Sequence, residues 1–480
     1  MNKFFRGSFL VVALCSAVVL TSCDDEDPPL PDNLVNFQAS AQGLSDSESE
    51  ITVTITLDRA VETAGNLAIS YVATGLSYGA DFITDPVVNN DNKIIVPVAA
   101  GATSTSFKVT KTNTTGLQGD EKVVFTIESI PDGLVMGTRP AFTLSFSEII
   151  ATSSMMEING GGPTAPNRVY IDLSANRQTA VERTKWDLAF ASGIDEFRVY
   201  LNSTSKMLAR AIDKTDITAV NASDTTGFAA QTDLAAIFST IIAVPPGQDG
   251  PAWLAESTSW MDDPADLQKT AISDIKEVDA ENFVYIINRG THLDGSKSNW
   301  VKIKITRDGS NYKIQYGNIS DVNVQTATIT KNIDTNLTYF SFDTNGVVTV
   351  EPNQFDWDIA WTGLTNETSF GGPFVPYYFN DIIIENTSTV HTAEVLTSTV
   401  SYDAYAVANI ANTEFSNGNQ LNIGSKWRSL GQSGASIKED RFYVIKDSVG
   451  NVYKIKFIAL TTNNERGRPQ IQFDLVQKGS

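Results

Sequence analysis

Four short segments in the second half of this chain occur twice and in the same order, which points to two copies of one structural unit. Val169-Tyr170-Ile171-Asp172-Leu173 is answered by Thr338-Tyr339-Phe340-Ser341-Phe342, and Lys185-Trp186-Asp187-Leu188-Ala189-Phe190 by Asp356-Trp357-Asp358-Ile359-Ala360-Trp361, at a spacing of roughly 170 residues. Asn282 to Ile287 then pairs with Arg441 to Lys446, and Trp300 to Ile305 with Tyr453 to Phe457. Each copy is long enough to hold its own core.

The repeated segments read as strands. Phe355, Trp357, Ile359 and Trp361 alternate with Asp356 and Asp358, so the bulky side chains share one face of a half-buried strand. The Trp-Asp pair is therefore a core element, and neither Asp187 nor Asp358 is expected to be catalytic. Phe442 to Ile445, the turn formers Asp447-Ser448-Val449-Gly450-Asn451 and Tyr453 to Phe457 form a hairpin. Elsewhere, short runs of Val, Ile, Thr, Phe and Tyr separate Asn, Asp, Gly and Ser turns, and amphipathic helices are few. The expected fold class is all-β.

The N-terminus carries an address. Lys3 and Arg6 precede an apolar run from Phe9 to Leu20 that is too short for a comfortable membrane span, and Leu20-Thr21-Ser22-Cys23 closes it as a lipobox. Residues 1–22 are read as a lipoprotein signal peptide and Cys23 as the lipid anchor, the chain's sole attachment to a membrane. The other cysteine, Cys15, is discarded with the signal, so the mature chain has no disulfide. Residues 23–32, with Asp24-Asp25-Glu26-Asp27 and Pro28-Pro29-Leu30-Pro31, form an acidic, stiff stalk. A formal charge of −21 removes nucleic acid from the partners, because phosphate binding needs basic clusters.

Residues 33–150 form a β-sandwich. Ile51-Thr52-Val53-Thr54-Ile55-Thr56-Leu57 alternates throughout and can bury one face against a second sheet. Val35-Asn36-Phe37, the Ile51 strand, Tyr78-Gly79-Ala80-Asp81-Phe82 and Gly119-Asp120-Glu121 before Val123 to Ile127 together resemble the Calx-beta family. Some members bind calcium through clustered carboxylates, and Asp81, Asp120 and Glu121, with Glu48 or Glu50, are the acids that the resemblance offers. The chain has Thr112-Asn113-Thr114-Thr115 where calcium-binding members carry an aspartate run, so these acids are read as turn caps and calcium as absent. The domain is then a spacer or adhesion module.

Residues 157–168, including Asn159-Gly160-Gly161-Gly162-Pro163, read as a flexible Gly/Pro linker. Beyond it lie two units, 165–330 and 331–480. Their Tyr-Phe-Ser-Phe and Trp-Asp-x-Ala strands, the tryptophans Trp260 and Trp427, the terminal hairpin and the closing strand Ile471 to Leu475 resemble HmuY-like haem-binding lipoproteins of Bacteroidota. The resemblance implies an outer-membrane lipoprotein facing the cell exterior that binds haem or a similar small ligand and passes it to a TonB-dependent transporter. Haem needs axial ligands in an apolar cleft. The candidates are Met261, beside Trp260, and the chain's two histidines, His391 and His292, one in each unit and each expected in a loop.

A cell-surface adhesion or glycan- and protein-binding role without haem is the alternative, using Tyr377, Tyr378, Trp253 or Phe370. An enzyme is not expected, since two histidines in different units give no triad or metal cluster, and the adjacent Asp262-Asp263 should splay apart. Asp233 to Phe238 reads as a short helix that caps a pocket.

Overall fold

The computed structural model describes residues 32–479 except 40, 45–48, 113–120, 147–150, 152, 246, 249, 432–433 and 463–464. Cys23, the stalk up to residue 31, Glu48 and Asp120 lie outside the described residues. The fold is all-β, and among the described residues no single helix is long and apolar enough to cross a membrane.

Two five-stranded sheets make the N-terminal sandwich. Glu50–Leu57 pairs antiparallel with Leu34–Phe37 on one side and Ser104–Lys111 on the other. Its alternation places Val53, Ile55 and Leu57 inward, onto Phe107, Phe125 and Phe142 of a single core. Each such side chain contributes about 1.5–3 kcal/mol by leaving water. Asp81 behaves as a turn cap, its Oδ2 accepting the Ser77 N–H at 2.8 Å. Glu121 is buried.

The duplicated half is woven across its own repeat boundary. Asn167–Asp172 and Arg177–Glu182, the leading hairpin of the first copy, join Ile359–Ser369 and Phe374–Glu385 of the second in one four-stranded sheet. Reciprocally, Leu188–Ala191 and Val199–Leu201 of the first copy join Leu337–Ser341 and Gly346–Val348 of the second. Each Trp-Asp strand thus pairs with the leading hairpin of the other copy. Ile171 faces Ile359 in one sheet, and Phe340 faces Leu188 in the other.

The two remaining five-stranded sheets each hold to one copy, apart from one edge strand. One runs Leu208–Ile212, Val284–Asn288, Trp300–Asp308, Asn311–Asn318 and Gln325–Ile329; the other runs His391–Leu396, Arg441–Lys446, Val452–Ala459, Gln470–Gln477 and Ser153–Glu157. Ser153–Glu157, which comes before both repeats, occupies the edge that Gln325–Ile329 occupies in the first sheet. The cores follow the sheets. Leu188, Phe190, Tyr285 and Ile303 pack with Phe340 and Phe342, whereas Ile359, Trp361, Tyr443 and Phe473 pack with Met156, Val169, Ile171 and Leu173.

Three local expectations change. The Gly/Pro run at 157–168 is packed rather than a free linker: Ile158 is buried, and a Cβ on Gly160 would lie 2.3 Å from the Gly467 oxygen and 2.4 Å from Trp361 Cζ3. The strand of the second Trp-Asp segment begins only at Ile359, so Phe355 stays 62 % exposed while Trp357 and Ile359 enter different clusters. His391 is the first residue of a strand, paired with Lys446, instead of a loop residue. The helix at Asp233 forms as Leu234–Ala243, capped by Asp233 Oδ1 and packed through Ile237 and Ile241 on Leu208, Leu254 and Trp260.

Candidate functional site

Strand alternation gives each four-stranded sheet two apolar faces. Val169 and Ile171 enter one core, so Arg168 and Tyr170, two residues apart, turn to the opposite face. In the other sheet Phe340 enters its core and Tyr339 turns away. The outward faces form two clusters, Tyr170, Trp357, Ala360 and Ile384 on one side and Trp186, Ala189, Tyr339 and Val350 on the other, both touched by Val181. At this seam lies a cavity of about 330 Å³ lined from both copies, with Arg168, Tyr170, Trp186, Tyr339, Glu351 and Trp357 in its wall. Its aromatic rings pair across the copies: Tyr170 meets Trp357 edge-on at 5.1 Å, and Trp186 meets Tyr339 edge-on at 4.9 Å.

A repeated polar lock holds each tryptophan. Asp187 Oδ2 accepts the N–H of Phe342 at 2.8 Å, and Asp358 Oδ2 accepts the N–H of Leu173 at 2.8 Å. Asn202 Nδ2 donates to the carbonyls of Arg183 and Trp186, and Asn386 Nδ2 donates to those of Gln354 and Trp357. Both asparagines are nearly inaccessible to water, so these bonds satisfy turn carbonyls that would otherwise be buried alone. The locks differ in charge. Arg289 forks onto both oxygens of Asp187, at 2.8 and 3.1 Å. Among the described residues Asp358 has no such cation; burial, and then Asp172 and Asp447 beside it, push its carboxyl well above the ordinary range.

The cavity wall holds further displaced carboxyls. Glu351 accepts from Asn336 Nδ2, Leu337 N–H, the Trp357 indole and the Tyr339 hydroxyl, yet burial raises it. Burial lifts Asp262 to about 7 although the Leu201 and Ala271 N–H groups bond it, and Glu385 also reaches about 7. Tyr170 and Tyr339 are raised by burial, which keeps their phenols protonated.

The description "HmuY protein" matches residues 164–330 and again 334–474. The chain belongs to the HmuY family. The two matched stretches are the two copies, so HmuY units occur here in tandem and share their sheets. No curated protein matches the chain. Solved structures with partial likeness include the apo-form Calx CBD1 domain, 13% identical over 24% of this chain and 96% of its own, with a TM-score of 0.21. A two-domain protein of unknown function from Bacteroides fragilis is 11% identical over 38% of this chain and 74% of its own, with a TM-score of 0.19. The E. coli chaperone DraB is 12% identical over 35% of this chain and 80% of its own, with a TM-score of 0.16.

The HmuY candidates for iron ligation sit in separate settings. Met261 is 6 % exposed and packs with Leu208, Ile237, Trp260 and Val375, so its thioether fills a core. His292 is exposed in the turn between the Thr291 and Lys297 bridge partners. His391 is exposed on another sheet, its Nε2 3.2 Å from Asn417 Nδ2. None of the three lines the seam cavity. The described residues do not fit a haem with paired His or Met ligands, and they contain no cluster of three His, Cys, Asp or Glu suited to a metal ion. Asp262 and Asp263 do splay: the first turns to Leu201 and Ala271, the second to Ala265 and Lys269.

Sequence reasoning missed Arg168, Glu351, Glu385, Asn202 and Asn386. Arg168 had a signal, because a charge two residues from a repeated tyrosine must share its face of the strand. Glu351 and the asparagines lie in turns, where nothing in the local pattern sets them apart from capping residues.

Proposed function

We propose that this HmuY-family protein is a surface-exposed outer-membrane lipoprotein, anchored through Cys23, that captures one small ligand between its two repeats and passes it to a TonB-dependent transporter. The observation that carries this reading is the seam cavity, walled by both copies and edged by matched tyrosine–tryptophan pairs. A concave chamber in which polar groups converge beside aromatic side chains is a usual form of ligand site.

Haem is the ligand that the family suggests, and haemin is the first compound to test. With no His or Met in the cavity wall, the seam is expected to give no sharp Soret band of a doubly ligated iron. A haemin titration that yields such a band, abolished by His292→Ala or His391→Ala, would move the site away from the seam.

A second reading, adhesion to glycan or protein, draws on one surface feature. Phe370, 47 % exposed, meets Phe238 and Tyr377 edge-on, Phe238 and Tyr377 are tilted to each other, and Phe374 is 57 % exposed. Glycan-array binding lost on Phe370→Ala with the seam intact would favour it.

A further inference from the structure

We infer that the seam is built for a small carboxylate, a molecule of one or two rings whose acid group meets Arg168 and whose body lies against Trp186, Trp357 and the two tyrosines. The inference rests on the seam being the ligand site.

Arg168 is the anomaly. A guanidinium presents five N–H donors and cannot lose its charge. Here Nη1 reaches only the Tyr170 hydroxyl, at 3.4 Å, and Nε is buried with no acceptor among the described residues. Arg468 Nε is likewise buried without a hydrogen bond, but that side chain has Glu157 and Glu465 as ion-pair partners, and three other enclosed arginines are supplied. Arg183 donates to the carbonyls of Ala165 and Thr204, Arg428 to those of Asn380 and Asp381, and Arg289 to Asp187 and Asp343. A half-buried cation whose Nε is enclosed and this short of acceptors persists where something else supplies them.

The neighbouring carboxylates are committed elsewhere. Both oxygens of Glu351 accept from Asn336, Leu337, Tyr339 and Trp357. Asp262 is held by Leu201 and Ala271, Asp263 and Asp266 by Lys269, Glu196 by Arg198, and Glu385 by Thr392 and Ile423. Arg168 is therefore a wall cation with donors to spare. A planar fork of donors matches a carboxylate's two oxygens better than any neutral acceptor. The volume, about 330 Å³, stands at the small end of ligand pockets and limits the body to a compact one.

The test is isothermal titration of the mature chain with benzoate, phenylacetate, 4-hydroxyphenylacetate and indole-3-acetate, each against its primary amide. At least one acid is expected to bind at one per chain, with its amide weaker by about tenfold or more. Arg168→Met should erase that difference in a chain that still unfolds cooperatively. If Arg168→Met fails to fold, Arg168→Lys, which keeps charge but loses the fork, should narrow the difference. Acids and amides binding alike would overturn the ligand class and leave the seam site standing. Binding of none of these compounds would overturn the inference, and tryptophan signals unmoved by haemin as well would take the seam site with it. A crystal structure in millimolar acid showing only ordered water on Arg168 Nε would also overturn the inference.

Discussion

Asp358 Oδ2 accepts the backbone N–H of Leu173 at 2.8 Å, joining residues 185 positions apart and stitching the second repeat to the leading hairpin of the first. The matching bond from Phe342 to Asp187 joins them the other way. Two copies tied by the same pair of bonds make one body, and the cavity between them belongs to both.

The two locks should respond differently to the same change. Asp358→Asn keeps an oxygen for the Leu173 N–H and relieves the crowding by Asp172 and Asp447, so its cost is expected within about 1 kcal/mol. Asp187→Asn leaves Arg289 enclosed with only the exposed Asp343 as its anion, at a cost of about 3 kcal/mol. Urea denaturation of both variants checks the ranking; equal losses would contradict it.

Strand exchange predicts which fragments fold. Residues 347–480 alone lack Met156, Ile158, Val169, Ile171 and Leu173, which fill their core, and should give a loose state with exposed apolar surface. Ser153–Glu157 runs antiparallel to Gln470–Gln477, with Ser153 opposite Asp474, so the C-terminus and this strand lie a turn apart. Appending 153–183 after residue 478 through a short turn should restore a cooperative transition, measurable by near-ultraviolet circular dichroism. A fragment 347–480 that melts cooperatively without the addition would refute this.

Glu385 sets a pH dependence. Its carboxyl is 3 % exposed and burial lifts it to about 7 from an ordinary 4.5. Between those values the folded chain holds the proton more tightly than the unfolded chain, so this group's contribution falls as pH rises, and above 7 the full cost is about 3 kcal/mol. Glutamine keeps an oxygen for the Thr392 hydroxyl and the Ile423 N–H. Glu385→Gln is therefore expected to stabilise the protein by about 3 kcal/mol at pH 8 and to change little at pH 4. Denaturation at the two pH values reads the difference, and a gain of the same size at both would show that burial of charge is not its source.

Much of this architecture was legible before any coordinates. Strict alternation, as at Ile51 to Leu57, exposes a strand because its period is two, and the repeated Tyr170/Tyr339 and Trp186/Trp357 pairs announced the duplication. Pairing between copies was not legible, since the segment Val169 to Leu173 is equally suited to the Trp-Asp strand of either copy. The site suffered most. Histidine and methionine drew attention by their known chemistry, whereas Arg168 gains meaning only when its surroundings are seen to lack acceptors.

The central claim is that one ligand lies between Trp186 and Trp357. Fluorine NMR of the fluorotryptophan-labelled chain, titrated with indole-3-acetate and with haemin, tests it most directly, each of the seven tryptophans being assigned by substitution. The Trp186 and Trp357 signals should move together and saturate at one ligand per chain, with Trp427 unmoved. Movement of Trp260, beside Met261, with Trp186 and Trp357 still, would place the ligand elsewhere and contradict the account.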